Sequence, residues 1–367
     1  MREPWHARRG SGGGRSLAHC VVRFGYFLAF LIVNHDVTNL SDRALELTAK
    51  EATGTCVCPF VSRRAPLLMR LGLGMDVIRR ILFESTILQI GLFEAHPVSD
   101  ACGDVEQQGS HVIVLPVSGV FSRHDAPGRH VIGTPSHAVF VAADTPYRIS
   151  FPGAIGDRAL TLRFRHALAP DELDLQDRSE HTASHGLLPA GAMMLRNLLW
   201  TRLERAEADG FEAEALGLDL LEVSLSAMRA GNALLRRSAQ VRRMRALERV
   251  KEAVALAPAD RWSVAKLASI ANLSPFHLCH VFRRTVGTSI YEYVLRERLA
   301  QTLDAVLDSG DDLTAIALDA GFASHSHFTA HFRRFFGYTP TALRHVATAE
   351  HIGQLRKIMT AHRRHLV

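Results

Sequence analysis

The chain has 367 residues, 47% of them hydrophobic, with 43 Lys and Arg against 37 Asp and Glu for a formal net charge of +6. That length predicts two or three domains, and five cysteines, odd in number and scattered apart from Cys56-Val57-Cys58, exclude a disulfide framework and a zinc pattern. The charge is uneven, since residues 241–367 hold 18 Lys/Arg and 11 Asp/Glu and residues 1–240 hold 25 and 26, so a polyanionic partner is expected at the C-terminal end.

Residues 1–74 differ from the rest. They start Arg-rich, pass through the glycines from Gly10 to Gly14, and reach an apolar run from Phe24 to Val33. Ten residues are too few to span a bilayer, and no small-residue cleavage site follows at Asn34-His35-Asp36. This segment is expected to be a poorly structured N-terminal extension, an upstream lengthening of the reading frame with Met69 or Met75 as the working start. No membrane partner is expected, and a reducing cytoplasm fits the cysteines.

Residues 75–166 read as short strands. Leu160, Leu162 and Phe164 alternate with Thr161, Arg163 and Arg165; Tyr147, Ile149 and Phe151 alternate with Arg148 and Ser150. Further strands are His111 to Leu115, Val120 to Arg123 and His137 to Ala142, between turns such as Asp125-Ala126-Pro127-Gly128. Such a pattern makes a small barrel or sandwich. A pocket inside it would be lined by Phe140, Tyr147 and Phe151, with Arg148 or Arg163 orienting a polar group of a small-molecule effector. Cys102, between Asp100 and Asp104, reads as incidental.

Residues 167–238 turn helical. Met193, Leu195, Leu198, Leu199 and Leu203 form one apolar stripe; Leu216, Leu220, Leu221, Val223 and Leu225 form another, with a break near Asp209-Gly210. This hairpin either packs back on the strands or forms a dimer interface.

Residues 239–346 open with a helix from about Arg242 to Leu256 and then carry one device twice. The run Ser274-Pro275-Phe276-His277-Leu278-Cys279-His280-Val281-Phe282-Arg283-Arg284-Thr285-Val286-Gly287 returns as Ser324-His325-Ser326-His327-Phe328-Thr329-Ala330-His331-Phe332-Arg333-Arg334-Phe335-Phe336-Gly337, 50 positions on. Each is preceded by an Ala-rich helical stretch, Val264 to Ala271 and Leu313 to Ala320. The breaks fall at Asn272-Leu273 and Gly321-Phe322-Ala323, where Asn or Gly suits a left-handed helix end. Ser274 reads as an N-cap with Pro275 at the first helical position. The pattern predicts two helix-turn-helix units.

In the second helix of the first unit, Leu278, Val281, Phe282 and Val286 should pack, leaving Phe276, Cys279, His280 and Arg283 outward. In the other unit Phe328, Phe332 and Phe335 should pack, leaving His325, Ser326, Thr329, Ala330 and Arg333 outward. Ser289 to Asp308 reads as one helix between the units, with Ser289 and Glu292 at capping-box spacing. At about 1.5 Å per residue it spans roughly 30 Å, near the ~34 Å of one DNA turn, so both units could enter successive major grooves.

Residues from about Arg249 to Arg344 closely resemble the DNA-binding domain of the AraC/XylS family of bacterial transcription regulators, most clearly in Ile316-Ala317, Gly321-Phe322, Ser324, Phe328, Phe332-Arg333, Phe336-Gly337, Thr339-Pro340 and Arg344. The resemblance implies a multidomain α+β chain: an N-terminal cupin-like β-barrel sensor plus helices, then a C-terminal all-α domain whose two helix-turn-helix units are joined by a linker helix. It implies promoter or operator DNA as partner, with a small-molecule effector, RNA polymerase and a second copy of the chain as candidate partners. In that family the positions held here by Phe276, Cys279, His280, His325, Ser326 and Thr329 touch bases. His280 and Ala330 depart from it, because Arg is common at both places.

Arg283, Arg284, Arg333 and Arg334 suit phosphate or groove edges, and the helix starts at Ser274 and Ser324 offer backbone N–H groups. His280, His325, Ser326 and Thr329 suit base edges, and Phe276 a thymine methyl. Catalytic cupins hold a metal with a His-x-His pair, a following Glu and a distant His; His111, His124, His130 and His137 are dispersed singly, so no cofactor and no enzyme is expected. The alternatives are a cupin-type metal enzyme with a DNA-binding appendage and a sequence-indifferent DNA-binding protein. Residues 347–367, with Arg356, Lys357, Arg363 and Arg364, read as a basic, solvated tail.

Overall fold

Alternating side chains give the strands two faces, and here both faces are covered. The strands are β1 (Phe60–Val61), β2 (Leu67–Leu71), β3 (Met75–Glu84), β4 (Leu88–His96), β5 (His111–Gly119), β6 (Phe121–Ala126), β7 (Arg129–Gly133), β8 (His137–Val141), β9 (Arg148–Ser150), β10 (Asp157–Phe164) and β11 (His185–Leu187). The larger sheet runs β1-β3-β4-β10-β5-β8-β11 with β2 also on β3, all antiparallel; β7-β6-β9 make a smaller one. This computed structural model describes residues 60–61, 67–71, 75–126, 129–164, 185–236, 241–308, 310–346 and 353, and they fall in one compact unit, Val57–Val367. The readings made for residues 1–59, for Cys56 and Cys58, and for the basic side chains of the tail lie outside the described residues.

On one face of the larger sheet, Leu88, Ile90 and Leu92 of β4, Ile113 and Leu115 of β5 and Leu160, Leu162 and Phe164 of β10 are buried in the main apolar core. The intervening residues, among them Gln89, Gly91 and Phe93 of β4 and Val112 and Val114 of β5, point the other way and line a cavity. The sheet begins earlier than the boundary at residue 74: β2 pairs with β3 from Leu67↔Arg79 to Leu71↔Met75.

The helices are α1 (Ala190–Glu204), α2 (Gly210–Arg236), α3 (Val241–Leu256), α4 (Val264–Ala271), α5 (Pro275–Val286), α6 (Ile290–Asp308), α7 (Leu313–Asp319), α8 (His325–Phe336) and α9 (Pro340–Val346). Every residue of α1 from Ala192 to Leu203 is buried, Arg196 and Asn197 included. A helix enclosed on all sides is wedged between layers rather than laid on one, and α1 touches β3, β5, α2, α6 and α8. The α1–α2 hairpin therefore packs within the chain, against the sheet and the C-terminal helices. Among the described residues no helix is long and apolar enough to cross a membrane.

The C-terminal helices divide between two cores. Leu247, Val250 and Val254 of α3 pack with Leu267, Leu278, Val281, Phe282 and Tyr293 in one. Ile316, Phe322, Phe328, Phe332 and Phe336 belong to the same core as α1 and the sheet. Phe336 joins Phe328 and Phe332 on the inward face of α8; Phe335 packs against the same core from its edge, half-buried, with the Arg296 guanidinium 5.5 Å from its ring centroid.

Candidate nucleic-acid interface

The two outward helices are built alike. Ser274 Oγ accepts from the N–H of His277 (3.3 Å) ahead of α5, and Ser324 Oγ accepts from the N–H of His327 (3.1 Å) ahead of α8. Each helix ends on a glycine in the left-handed region, Gly287 at φ +84 and Gly337 at φ +82. Both serine hydroxyls are thus engaged in holding the first turn, and the helix start rather than the side chain is what remains for phosphate.

Leu278, Val281 and Phe282 are buried under α5, while Phe276 is 85% exposed and Cys279, His280, Arg283 and Arg284 are exposed beside it. An aromatic ring left so far in water has no packing role within the chain. On α8, Ser326, Ala330, Arg333 and Arg334 are exposed. His325 and Thr329 are half-buried and lie 3.4 Å apart, Nε2 to Oγ1, so they act as a pair. The two outward faces therefore differ: an aromatic ring, a thiol and an imidazole on α5, a serine and a His–Thr pair on α8.

What fixes the units relative to each other is α6. Its start is a capping box: Glu292 accepts from the N–H of Ser289 (3.0 Å), whose Oγ accepts from the N–H of Glu292 (3.2 Å). Arg298 of α6 then donates to the carbonyls of Pro258 (2.7 Å) and Asp260 (2.7 Å) beside the first unit and to that of Gly321 (3.1 Å) in the second. Arg344 ties α9 to the carbonyls of Val306 (2.9 Å) and Asp311 (2.6 Å). Arg298 was not singled out from sequence, because its role depends on carbonyls 23 to 40 positions away.

The candidate effector residues do not all meet. The cavity has a volume of about 520 Å³ and is lined by Tyr147, Phe151 and Arg163. Phe140 lies on the opposite face of β8, buried in the main core with His111 stacked 5.4 Å away. Arg148 is exposed. Strand alternation is the reason in both cases: neighbours Val139 and Val141, and Tyr147 and Ile149, take the inward positions on the cavity side. Tyr147 donates to Glu106 (3.2 Å) and accepts from Gln108 (2.7 Å); burial and Glu106 push its hydroxyl up to about 12.

The four histidines do not converge on one point: His124 and His130 face each other across β6 and β7, ring centroids 5.6 Å apart, and the other two lie elsewhere. His111 Nδ1 accepts from the N–H of Ala143 (3.1 Å), His124 Nε2 lies 2.8 Å from Ser150 Oγ, and His130 Nε2 lies 3.8 Å from Glu252. Among the described residues no three His, Cys, Asp or Glu side chains converge as a metal site. Cys102 is exposed.

His137 instead belongs to a buried polar junction between the strands and the C-terminal helices. Its Nδ1 is 2.7 Å from Thr134 Oγ1, Ser136 Oγ donates to Glu297 of α6, and His137 lies 4.0 Å from that carboxylate. Next to it Lys251 of α3 bonds Glu248 (2.7 Å) and His185 of β11 (3.1 Å), and Glu248 accepts from the N–H of Ile132 (3.0 Å). Burial, with Lys251 nearby, holds His137 well below the usual imidazole range, and the same causes bring His185 down to about 3. Burial raises Glu297; it would raise Glu248 too, but Lys251 and His185 pull that carboxyl below its usual value. A salt bridge from Arg158 of β10 to Asp304 of α6 (3.1 Å) adds a second tie.

Comparison with known proteins places this interface. A family model described as a helix-turn-helix domain matches residues 267–345. The chain is 35% identical over 79 residues to the probable transcriptional regulator LumQ of Photobacterium leiognathi, covering 22% of this chain and 32% of that protein. It is 37% identical over 83 residues to a putative AraC-like transcription regulator of Streptomyces antibioticus, covering 23% and 27%. The chain thus spans about a third or less of the length of these relatives. Among solved structures, ToxT from Vibrio cholerae aligns over 72% of this chain and 100% of its own at 12% identity, with a TM-score of 0.31.

Proposed function

We propose that this chain is a sequence-specific DNA-binding transcription regulator, acting in the cytoplasm without catalytic activity of its own and controlled by a small molecule held by its strands. The observation that carries the reading is the pair of capped, outward helices with different exposed faces. A protein that merely coats DNA needs only a basic surface, whereas reading a sequence needs distinct groups at each groove. Arg283, Arg284, Arg333 and Arg334 hold phosphates, the starts of α5 and α8 present backbone N–H groups, and Phe276, Cys279, His280, Ser326 and the His325–Thr329 pair face base edges. The 19 residues of α6 amount to about 28 Å, which suits successive major grooves on one side of a duplex.

Control follows from the junction. Ser136 in the turn before β8, His137 of β8 and Arg158 of β10 engage Glu297 and Asp304 of α6, the helix that sets the spacing of the units. A ligand alters DNA binding only if it binds two arrangements of this junction with different affinity. The test is titration of the full chain against DNA flanking its own gene and against random DNA at two salt concentrations. At least ~10³ preference for one fragment is expected, weakened by Arg333→Ala and Phe276→Ala without loss of folded stability. Equal binding to all DNA that vanishes with salt would mean a sequence-indifferent binder.

A further inference from the structure

The cavity has two unlike ends. At one, Arg163 of β10 enters among Gln89, Val112 and Gln108. Toward the other, Phe93, Phe121 and Phe151 line it with Asp157, the first residue of β10, and the Arg79 guanidinium lies over the Phe93 ring at 5.5 Å. Between them sits Gly91, where any Cβ would come within 2.7 Å of Thr161 Oγ1, so the middle holds no side chain at that position.

The charges do not balance. Arg79 pairs with Glu106 (3.5 Å) and Arg80 with Glu204 (3.0 Å). Arg163, by contrast, has only a long bond to Ser110 Oγ (3.4 Å), and among the described residues no carboxylate pairs with it. Burial, then Arg79, lowers its guanidinium from the ordinary value, as a cation without a counter-ion requires. Asp157 cannot serve: it is 5% exposed, its Oδ1 has no partner within the protein, and burial alone lifts it to about 8, which keeps it protonated at neutral pH. One cation is therefore in excess at the polar end, and one neutral carboxyl waits at the apolar end.

Resting on the reading of the barrel as an effector site, we propose that the cavity takes an organic monoanion: a carboxylate on the Arg163 guanidinium, and a ring or hydrocarbon body against Phe93, Phe121 and Phe151. The planar fork of Arg matches a carboxylate with two parallel bonds. A neutral polyol would leave Arg163 unpaired after water is expelled, and a dianion's second charge would meet Arg79, which lies over Phe93 (5.5 Å) but already pairs with Glu106 (3.5 Å). A hydroxyl or keto oxygen at the far end of the ligand would accept from Asp157.

Three carboxylates serve as probes, indole-3-acetate, 4-phenylbutanoate and octanoate, each titrated into the full chain beside its own carboxamide. At least one carboxylate should bind ~10-fold or more tightly than its carboxamide. Arg163→Met should abolish that preference, Arg163→Lys should keep part of it, and Arg148→Met, outside the cavity, should leave it intact. Should Arg163→Met fail to fold, the wild-type ratio and the Arg163→Lys ratio decide. Carboxamides binding as well as carboxylates, no binding of any probe up to millimolar concentration, or a preference that survives Arg163→Met would each overturn the proposal. DNA binding is measured on the same samples. Specific DNA binding without a bound probe removes the ligand class alone, whereas probe binding by a chain that does not discriminate among DNA sequences removes the regulator reading alone.

Discussion

Asp157 is the residue whose chemistry departs most from its sequence. At the head of β10 it reads as a polar strand end, yet it is enclosed, and burial moves its proton affinity from 3.8 to about 8. The folded chain therefore holds a proton that the unfolded chain has lost between those values, so stability falls as pH rises through that window. Each unit is worth about 1.4 kcal/mol. Above pH 6.5 the histidines of the junction no longer titrate, so urea midpoints should drop from pH 7 to pH 9, and Asp157→Asn should flatten the drop; an unchanged slope would mean that the carboxyl is ionised in the fold. Sequence placed Tyr147, Phe151 and Arg163 inside the strands but also Phe140 and Arg148, which alternation puts on the other faces. Strand alternation was legible, but its phase was not: both faces of β8 are buried, so Phe140 could fill either, whereas on the short edge strand β9 Arg148 turned to solvent.

At the scale of elements, the turns of the two units carry the information. Asn272 takes φ +53 and Gly321 φ +78, as the breaks between helices required. Gly321 does more: a Cβ there would lie 2.5 Å from the carbonyl oxygen of Ala259, where the units approach each other. Gly337 has the same left-handed backbone at φ +82 with open space around it. Gly337→Ala should thus cost about 1–2 kcal/mol for backbone strain, and Gly321→Ala roughly 2–5 kcal/mol once backbone must also move. Denaturant unfolding of both variants checks the difference, and equal costs would mean that the contact with Ala259 yields freely. Caps and C-terminal glycines were readable because each acts within a few residues. The stripe seen on α1 was not the whole account, because a helix buried all round takes its environment from layers distant in sequence.

For the whole molecule, the junction predicts a response to acid. His185 has its proton affinity lowered from 6.5 to about 3, and His137 is lowered as well, with Lys251 facing both. A depressed imidazole contributes stability that is complete above 6.5 and lost as pH falls toward the folded value, by up to about 1.4 kcal/mol per group per unit. With the opposing carboxyl removed by Asp157→Asn, thermal stability should fall from pH 7 to pH 5, and adding His137→Asn and His185→Asn should lessen the fall; equal responses would place the acid sensitivity elsewhere. The second unit shares its core with α1 and the sheet, so strands and helices should melt together rather than in two steps. The sequence alone determined the two helix-turn-helix units, their caps and their outward faces, because helical period, capping hydroxyls and left-handed Asn or Gly are local forces. Only the tertiary structure decided that Arg163 stands unpaired in a cavity, that the α1–α2 hairpin turns inward, and that Ser136 meets Glu297 across 161 positions. Those outcomes depend on which buried surfaces meet, and no local preference encodes that choice.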